Sequence, residues 1–176
     1  MKTPRCPCII DIEASGFGAH SYPIEVGAVK SDGSRYCSLI IPEESWTHWS
    51  AEAELIHGLS RANLIEKGKT PRQVCDELNR FLGKVSAYSD AWVHDSPWLN
   101  RLYWAGKRNP EFHLSPIELI STEEQLMLWD GIKHELTEQL KIHRHRASAD
   151  AFLIQQTWLM TKQMIVSRPK VRSKHY

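Results

Sequence analysis

The run Ile9-Ile10-Asp11-Ile12-Glu13 places two acids inside an otherwise apolar stretch, and a Gly-rich turn, Ser15-Gly16-Phe17-Gly18, follows it. Alternate residues of a strand point to the same face, so the carboxylates of Asp11 and Glu13 project together. Burying two adjacent acids on an apolar strand is costly unless a cation neutralises them. A divalent metal held by oxygen ligands is the usual solution. The alternative is an edge strand that turns both acids to water.

Around this run the sequence predicts a sheet with helices on its faces. Strand-like segments at 24–29 and 36–41 flank a tight-turn sequence, Ser31-Asp32-Gly33-Ser34, and with 8–13 they form a predicted antiparallel meander. From about Glu52 the hydrophobic period becomes helical. Thr70-Pro71 opens a helix whose apolar positions Val74, Leu78, Phe81 and Leu82 share one side, and Gly83 closes it. Residues 85–88 read as a fourth strand, 96–105 as a helix and 112–120 as a fifth strand. A helix starts at Thr122, and a last one after Arg146 steps through Ala147, Ala151, Ile154 and Trp158. Three strands followed by alternating helix and strand give an α/β class with a mixed sheet.

A chain of 176 residues fits one domain that needs no disulfide to fold. The expected boundaries are 1–166 for the domain and 167–176 for a basic C-terminal tail. That tail either meets nucleic acid or is a solvated terminus. Apolar runs are too short to span a membrane, and the first residues lack a signal-peptide core, so a cytoplasmic protein without membrane contact is expected. Net charge is +1, which gives no global polyanion signal. Cys6, Cys8, Cys37 and Cys75 lack zinc-site spacing and read as buried or half-buried free thiols.

Two further segments carry acids at element borders. In Asp90-Ala91-Trp92-Val93-His94-Asp95-Ser96-Pro97-Trp98-Leu99, Asp95 lies between a strand and a helix, where it serves either a site or a helix N-cap. In His143-Arg144-His145-Arg146-Ala147-Ser148-Ala149-Asp150-Ala151, Asp150 borders the buried stripe of the last helix, and His145 precedes its first turn.

The order and context of these pieces resemble the DEDDh family of 3′-5′ exonucleases, the DnaQ-like group that includes proofreading exonucleases, RNase T and oligoribonuclease. Asp11-Ile12-Glu13-Ala14-Ser15-Gly16-Phe17 resembles the first motif, and Pro23-Ile24-Glu25-Val26-Gly27-Ala28-Val29 follows at the family's spacing. Ile56-His57-Gly58-Leu59-Ser60 is similar to the Ile-His-Gly-Ile-Thr element, Asp95-x3-Leu99 to the second motif, and His145-Arg146-Ala147-x2-Asp150-Ala151 to the third. The resemblance spans about Cys8 to Leu159. It implies an RNase H-like fold with a five-stranded mixed sheet, four metal ligands (Asp11, Glu13, Asp95 and Asp150) and a general base, His145. The family's Asn four residues before the second-motif acid is Ala91 here, and Asp90 competes with Asp95; Pro97-Trp98-Leu99 after Asp95 favours Asp95. His143 is a rival base, but only His145 has the motif's spacing to Asp150.

The implied chemistry uses two Mg2+ or Mn2+ ions about 4 Å apart on the terminal phosphodiester, with an imidazole taking the proton of the attacking water. The expected substrate is the 3′ end of single-stranded DNA or RNA, released as nucleoside 5′-monophosphates. Substrate contacts are expected at Ser15, Gly16, Phe17, His57 and Leu59, with Phe17 either meeting a base or joining the core. Trp98 and Trp104 are expected in the core, while Trp46 and Trp49 are left undecided. The rival readings are an oligoribonuclease-like enzyme acting on short oligonucleotides and a catalytically silent nucleic-acid-binding module. By analogy such a chain also forms a homodimer.

Overall fold

The structure, a computed structural model, describes residues 6–142 and 144–167. His143 and the basic segment 168–176 lie outside the described residues. The elements run β1 (Cys8–Ala14), β2 (Pro23–Val29), β3 (Arg35–Leu39), α1 (Ala51–His57), α2 (Arg61–Lys67), α3 (Pro71–Leu82), β4 (Ser86–Ser89), α4 (Trp92–Gly106), β5 (His113–Pro116), α5 (Glu123–Leu140) and α6 (Ala147–Ser167). The sheet order is β3-β2-β1-β4-β5. β1, β2 and β3 pair antiparallel, as the meander predicts, while β4 pairs parallel with both β1 and β5. This is the mixed five-stranded sheet of an RNase H-like fold, flanked by helices.

Local chemistry sets the helix starts. Ser50, Ser60, Thr70 and Thr122 cap α1, α2, α3 and α5 with their hydroxyls, and Pro71 occupies the first turn of α3, where a missing N–H costs nothing. Three predicted bounds shift. β3 ends at Leu39, and Ile40 makes only an isolated bridge to Lys69. The fifth strand stops at Pro116, and Ile117–Ile120 form a 3-10 turn. α4 begins at Trp92 rather than Ser96, so Pro97 sits inside the helix and Asp95 lies in its first turn, not at its cap.

The pleat of β1 and β2 divides the core. Ile10, Ile12, Ile24, Val26 and Ala28 face Val74, Leu78 and Leu102 of α3 and α4. Ile9 and Val29 face Ala151, Ile154 and Trp158 of α6, with Trp129 of α5. Trp46 is buried and stacked on Tyr22. Trp98 is half-buried against the first core, but Trp104 is 86% exposed, contrary to expectation. At about 100° per residue, the two tryptophans lie on different sides of α4, and the buried side carries Asp95, Leu99, Leu102, Tyr103 and Gly106. Cys8 and Cys75 are buried and Cys6 half-buried, whereas Cys37 is exposed on β3; all four are free. Among the described residues, no helix is long and apolar enough to cross a membrane.

α6 docks on the second face with its N-terminus directly over β2. The Glu25 side chain, 0% exposed, accepts from Arg146 Nη2 (2.7 Å) and Nε (3.1 and 3.2 Å), from the Ala147 backbone N–H (2.9 Å) and from Cys37 Sγ (3.3 Å). Two residues along the same face, Gly27 leaves no space: a Cβ there would overlap the Ala147 carbonyl and the Ser148 nitrogen. Farther along α6, buried Gln155 donates to the carbonyls of Pro7 (2.8 Å) and Lys30 (2.9 Å), tying the helix to the ends of β1 and β2.

Gly27→Ala is therefore expected to push the start of α6 off the sheet and to cost about 1–3 kcal/mol, the usual range for forced overpacking. Urea unfolding followed by circular dichroism measures this, and an unchanged midpoint would contradict the close approach.

Candidate active site

The acids come together where β1 passes beyond its pairing with β4. Asp11 and Glu13 share the α6 side of β1, and Glu13 stands opposite Glu25 in the β1–β2 register. α4 starts just after β4, so its first turn brings Asp95 to the C-terminal edge of the parallel pair, a place where α/β sheets commonly carry sites. The first turn of α6 brings Asp150 from the other side.

Asp95 is 1% exposed and accepts from the Ser89 hydroxyl, which itself accepts from the Ala91 N–H (3.0 Å). Ser89 thus orients the second-motif acid; its position at the strand end is the only sequence sign of this role. Asp90 points elsewhere, into an ion pair with Lys133 Nζ of α5 (2.5 Å). Asp95 lines the cleft, while Asp90 is paired with a lysine of α5 and acts on Asp11 and Asp95 through its charge.

Asp150 accepts the His145 N–H on Oδ2 (2.8 Å) and Arg144 Nε on Oδ1 (2.7 Å). His145 has φ 64°, a left-handed conformation that a non-glycine residue adopts at a cost of order 1–3 kcal/mol. The carboxylate that takes its N–H holds the turn in this form. Glu13, His145 and Asp150 each offer a ligand atom, and these atoms lie within 4.8 Å of one another. Asp11, Glu13 and Asp95 line one cleft of about 170 Å3 together with Gly16, Phe17, His57, His94 and Trp98.

The cluster holds more negative charge than it can carry alone. Burial first, then Asp95, Glu13, Asp150 and Asp90, pushes the Asp11 carboxyl well above the carboxylate range. Burial first, then Asp150 and Glu25, raises Glu13 to about 7, against the pull of Arg144 and Arg146. Asp95 is raised by burial and by Asp90 and Glu13, with the Ser89 hydroxyl and the Ile12 amide opposing. Hard oxygen donors that repel one another in a half-buried pocket, with an imidazole beside them, fit a divalent ion such as Mg2+ or Mn2+.

The cleft wall is aromatic. Arg101 of α4 donates to the Ser21 carbonyl (2.7 Å) and Trp98 Nε1 to the Ser21 hydroxyl (2.8 Å), so the loop after β1 is pinned to α4. Phe17, 71% exposed, then meets His94 edge-on (5.8 Å) and Trp98 at a tilt (6.5 Å), while His94 stacks on Trp98 (5.8 Å). Gly16 has φ 146°, and a side chain there would collide with His48 and Ser50.

His57 lines the same cleft. Its Nδ1 accepts the Leu59 N–H (3.0 Å), so the proton of the neutral ring lies on Nε2, and that buried nitrogen has no partner among the described residues. Burial lowers its pKa, keeping the ring neutral. Two residues expected at the substrate have buried side chains. Leu59 belongs to the hydrophobic core. Ser15 is fully buried, with its hydroxyl on His48 Nδ1 (3.2 Å) and the Tyr22 N–H (3.2 Å); its N–H donates to the Tyr22 carbonyl and its carbonyl accepts from the Ser50 N–H. A serine followed by glycine in a turn gives no sign of that burial. Trp49 is held by Glu54 (2.5 Å) and set edge-on to His57.

No protein-family model matches the sequence, and no curated protein matches it. Solved structures do match in shape. E. coli Exonuclease I in complex with a dA16 oligonucleotide superposes with a TM-score of 0.66 at 13% identity, over 90% of this chain and 41% of that one. E. coli Exonuclease I with a 5cy-dT13 oligonucleotide gives 0.67 at 14%, over 93% and 42%. Exonuclease I from Methylocaldum szegediense gives 0.62 at 13%, over 93% and 41%. The chain therefore spans about two fifths of each of these proteins. Over 90% or more of its length the chain has the fold found in Exonuclease I.

Proposed function

We propose that this chain is a divalent-metal-dependent 3′-5′ exonuclease that hydrolyses the terminal phosphodiester of single-stranded nucleic acid and releases nucleoside 5′-monophosphates. The observation that carries the reading is that Asp11, Glu13 and Asp95 line one cleft while Asp150 and His145, from a third segment, bring ligand atoms within 4.8 Å of that of Glu13. The fold shared with Exonuclease I, a protein solved with single-stranded oligonucleotides, supports the nucleic-acid class.

Asp11, Glu13, Asp95 and Asp150 would hold two Mg2+ or Mn2+ ions, which supply stabilisation of the charge developing on the phosphoryl oxygens. The protein's residues do the rest. His145, exposed and beside Glu13 and Asp150, takes the proton of the water that attacks phosphorus. The Phe17–His94–Trp98 wall offers a face on which the terminal base stacks. The unpartnered Nε2–H of His57 donates to an oxygen of the terminal nucleotide, a bond that removes its desolvation penalty.

Digestion of 5′-labelled single- and double-stranded DNA and RNA, and of a dinucleotide, with Mg2+ and with Mn2+ tests the reading. A single-stranded 20-mer should shorten stepwise from its 3′ end, and a 3′-phosphate should block it. Cutting of circular strands at the same rate would overturn it, and cleavage of the dinucleotide alone would favour the oligoribonuclease-like enzyme.

Asp11→Asn and Glu13→Gln should each abolish hydrolysis while stabilising the metal-free protein. Glu13 has a folded pKa of about 7 against an ordinary 4.5, so the folded state binds the extra proton and metal-free stability falls as pH rises between those values. In chelator at pH 8, Glu13→Gln should gain about 1–3 kcal/mol over the parent, and at pH 4 almost nothing. Thermal melts at the two pH values check this; equal melts at pH 8 would contradict it. His145→Ala should lower kcat by roughly 10²–10⁴-fold, the span for a lost general base, with KM little changed. Steady-state kinetics at saturating Mn2+ measure both.

A further inference from the structure

Arg144 has no part in the resemblance, yet its side chain enters the acidic cluster. Its Nε donates to Asp150 Oδ1 at 2.7 Å, with the Arg144 side chain 37% exposed and that of Asp150 only 7%. The two oxygens of Asp150 are therefore held differently. Oδ2 takes the backbone N–H of His145, a bond fixed by the turn, whereas Oδ1 takes a long side chain reaching in from the surface. Asp150 and Glu13 offer ligand atoms within 4.8 Å of each other, and the positive charge of Arg144 also acts on Glu13. Arg144 thus supplies part of the positive charge that the clustered carboxylates lack.

Arg146, two residues on, makes a useful contrast. It grips Glu25 through Nε and Nη2, and that carboxylate is fully buried and also capped by the Ala147 N–H, so the pair is part of the scaffold. Arg144 has only one bonded nitrogen on Asp150 and an open path to water. A planar guanidinium with five donors suits a phosphate as well as a carboxylate.

The geometry points to Arg144 as the cation that competes with divalent metal for Asp150 Oδ1 and that, once displaced, binds the phosphate of the incoming strand. This rests on the metal-dependent reading above. Two positive charges cannot share the same carboxylate oxygen without repulsion, so metal binding releases the guanidinium. It then stays tethered by the chain beside Asp150 and Glu13, where the anion that arrives is the substrate phosphate. Metal and substrate binding are coupled as a result: metal alone is opposed by Arg144, while metal with substrate is not.

Mn2+ titration of the full chain without substrate, read by the electron paramagnetic resonance of free Mn2+, tests this. The series is the parent, Arg144→Ala and Arg144→Gln, with Asp150→Asn as control and circular dichroism as the check of folding. Arg144→Ala and Arg144→Gln should bind Mn2+ roughly 5- to 50-fold more tightly than the parent, and Asp150→Asn more weakly. At saturating Mn2+, both Arg144 variants should raise KM for a single-stranded oligonucleotide several-fold with kcat changed less. Parent binding with no tightening in either folded variant overturns the competition and leaves the metal site standing. Tightening with unchanged KM overturns the phosphate role. Absence of Mn2+ binding in the folded parent and in both folded Arg144 variants overturns the metal-dependent reading along with the inference, which separates the two failures.

Discussion

The ion pair between Glu25 and Arg146 holds the start of α6 against the sheet, and the acidic cluster is built across that contact. Glu25 lies within an apolar strand at complete burial, where an uncompensated carboxylate would cost several kcal/mol. Its demand for donors is met by the Arg146 guanidinium and the Ala147 N–H, both at the start of α6. Gly27 removes the one side chain that would keep that backbone at a distance. Because Glu25 stands opposite Glu13 in the register, the same contact delivers Asp150 and His145 to the face of β1 that carries Asp11 and Glu13. A scaffold pair, itself outside the chemistry, sets the distance between the two halves of the cluster.

The cluster illustrates why such sites work against stability. Local propensity, patterning and packing agree through most of the fold, with capped helices and a core divided by the pleat. At the cleft they conflict: carboxyls are buried beside one another, His145 holds a left-handed backbone, and His57 keeps an unpartnered donor. Each cost is relieved by a partner of a particular kind. Cations answer the carboxyls, and an acceptor oxygen answers His57 Nε2. These unmet needs are the ones that the metal ions and terminal nucleotide of the proposed function would answer.

The aromatic wall adds a sequence-tolerant element to that description. Phe17 is exposed because Arg101 and Trp98 hold its loop against α4, and not for want of a core to join. Three rings within about 6.5 Å of one another present a surface on which any base can stack. Lys133 contributes from the far side by neutralising Asp90, which would otherwise add its full charge to a cleft already overloaded with acids.

The sequence by itself determined the strand order in the chain, the α3, α5 and α6 helices and the pairing of Asp11 with Glu13, because strand alternation, hydroxyl caps and helical spacing act over a few residues. It also carried the motif order from which the fold was expected. Relations between distant segments were outside its reach. Only the tertiary structure placed Asp95 in the cleft lining and Asp90 against Lys133 of α5. The start of α4 at Trp92 put Asp95 inside a turn and left Trp104 in water, because one side of a helix cannot bury every tryptophan on it. Ser15 and Leu59, adjacent in sequence to cleft residues, turned into the interior, and Arg144, without any motif of its own, turned into the site. Periodicity assigns a side chain to a face, but burial, charge balance and the space left by a neighbour such as Gly27 depend on which other segment arrives there.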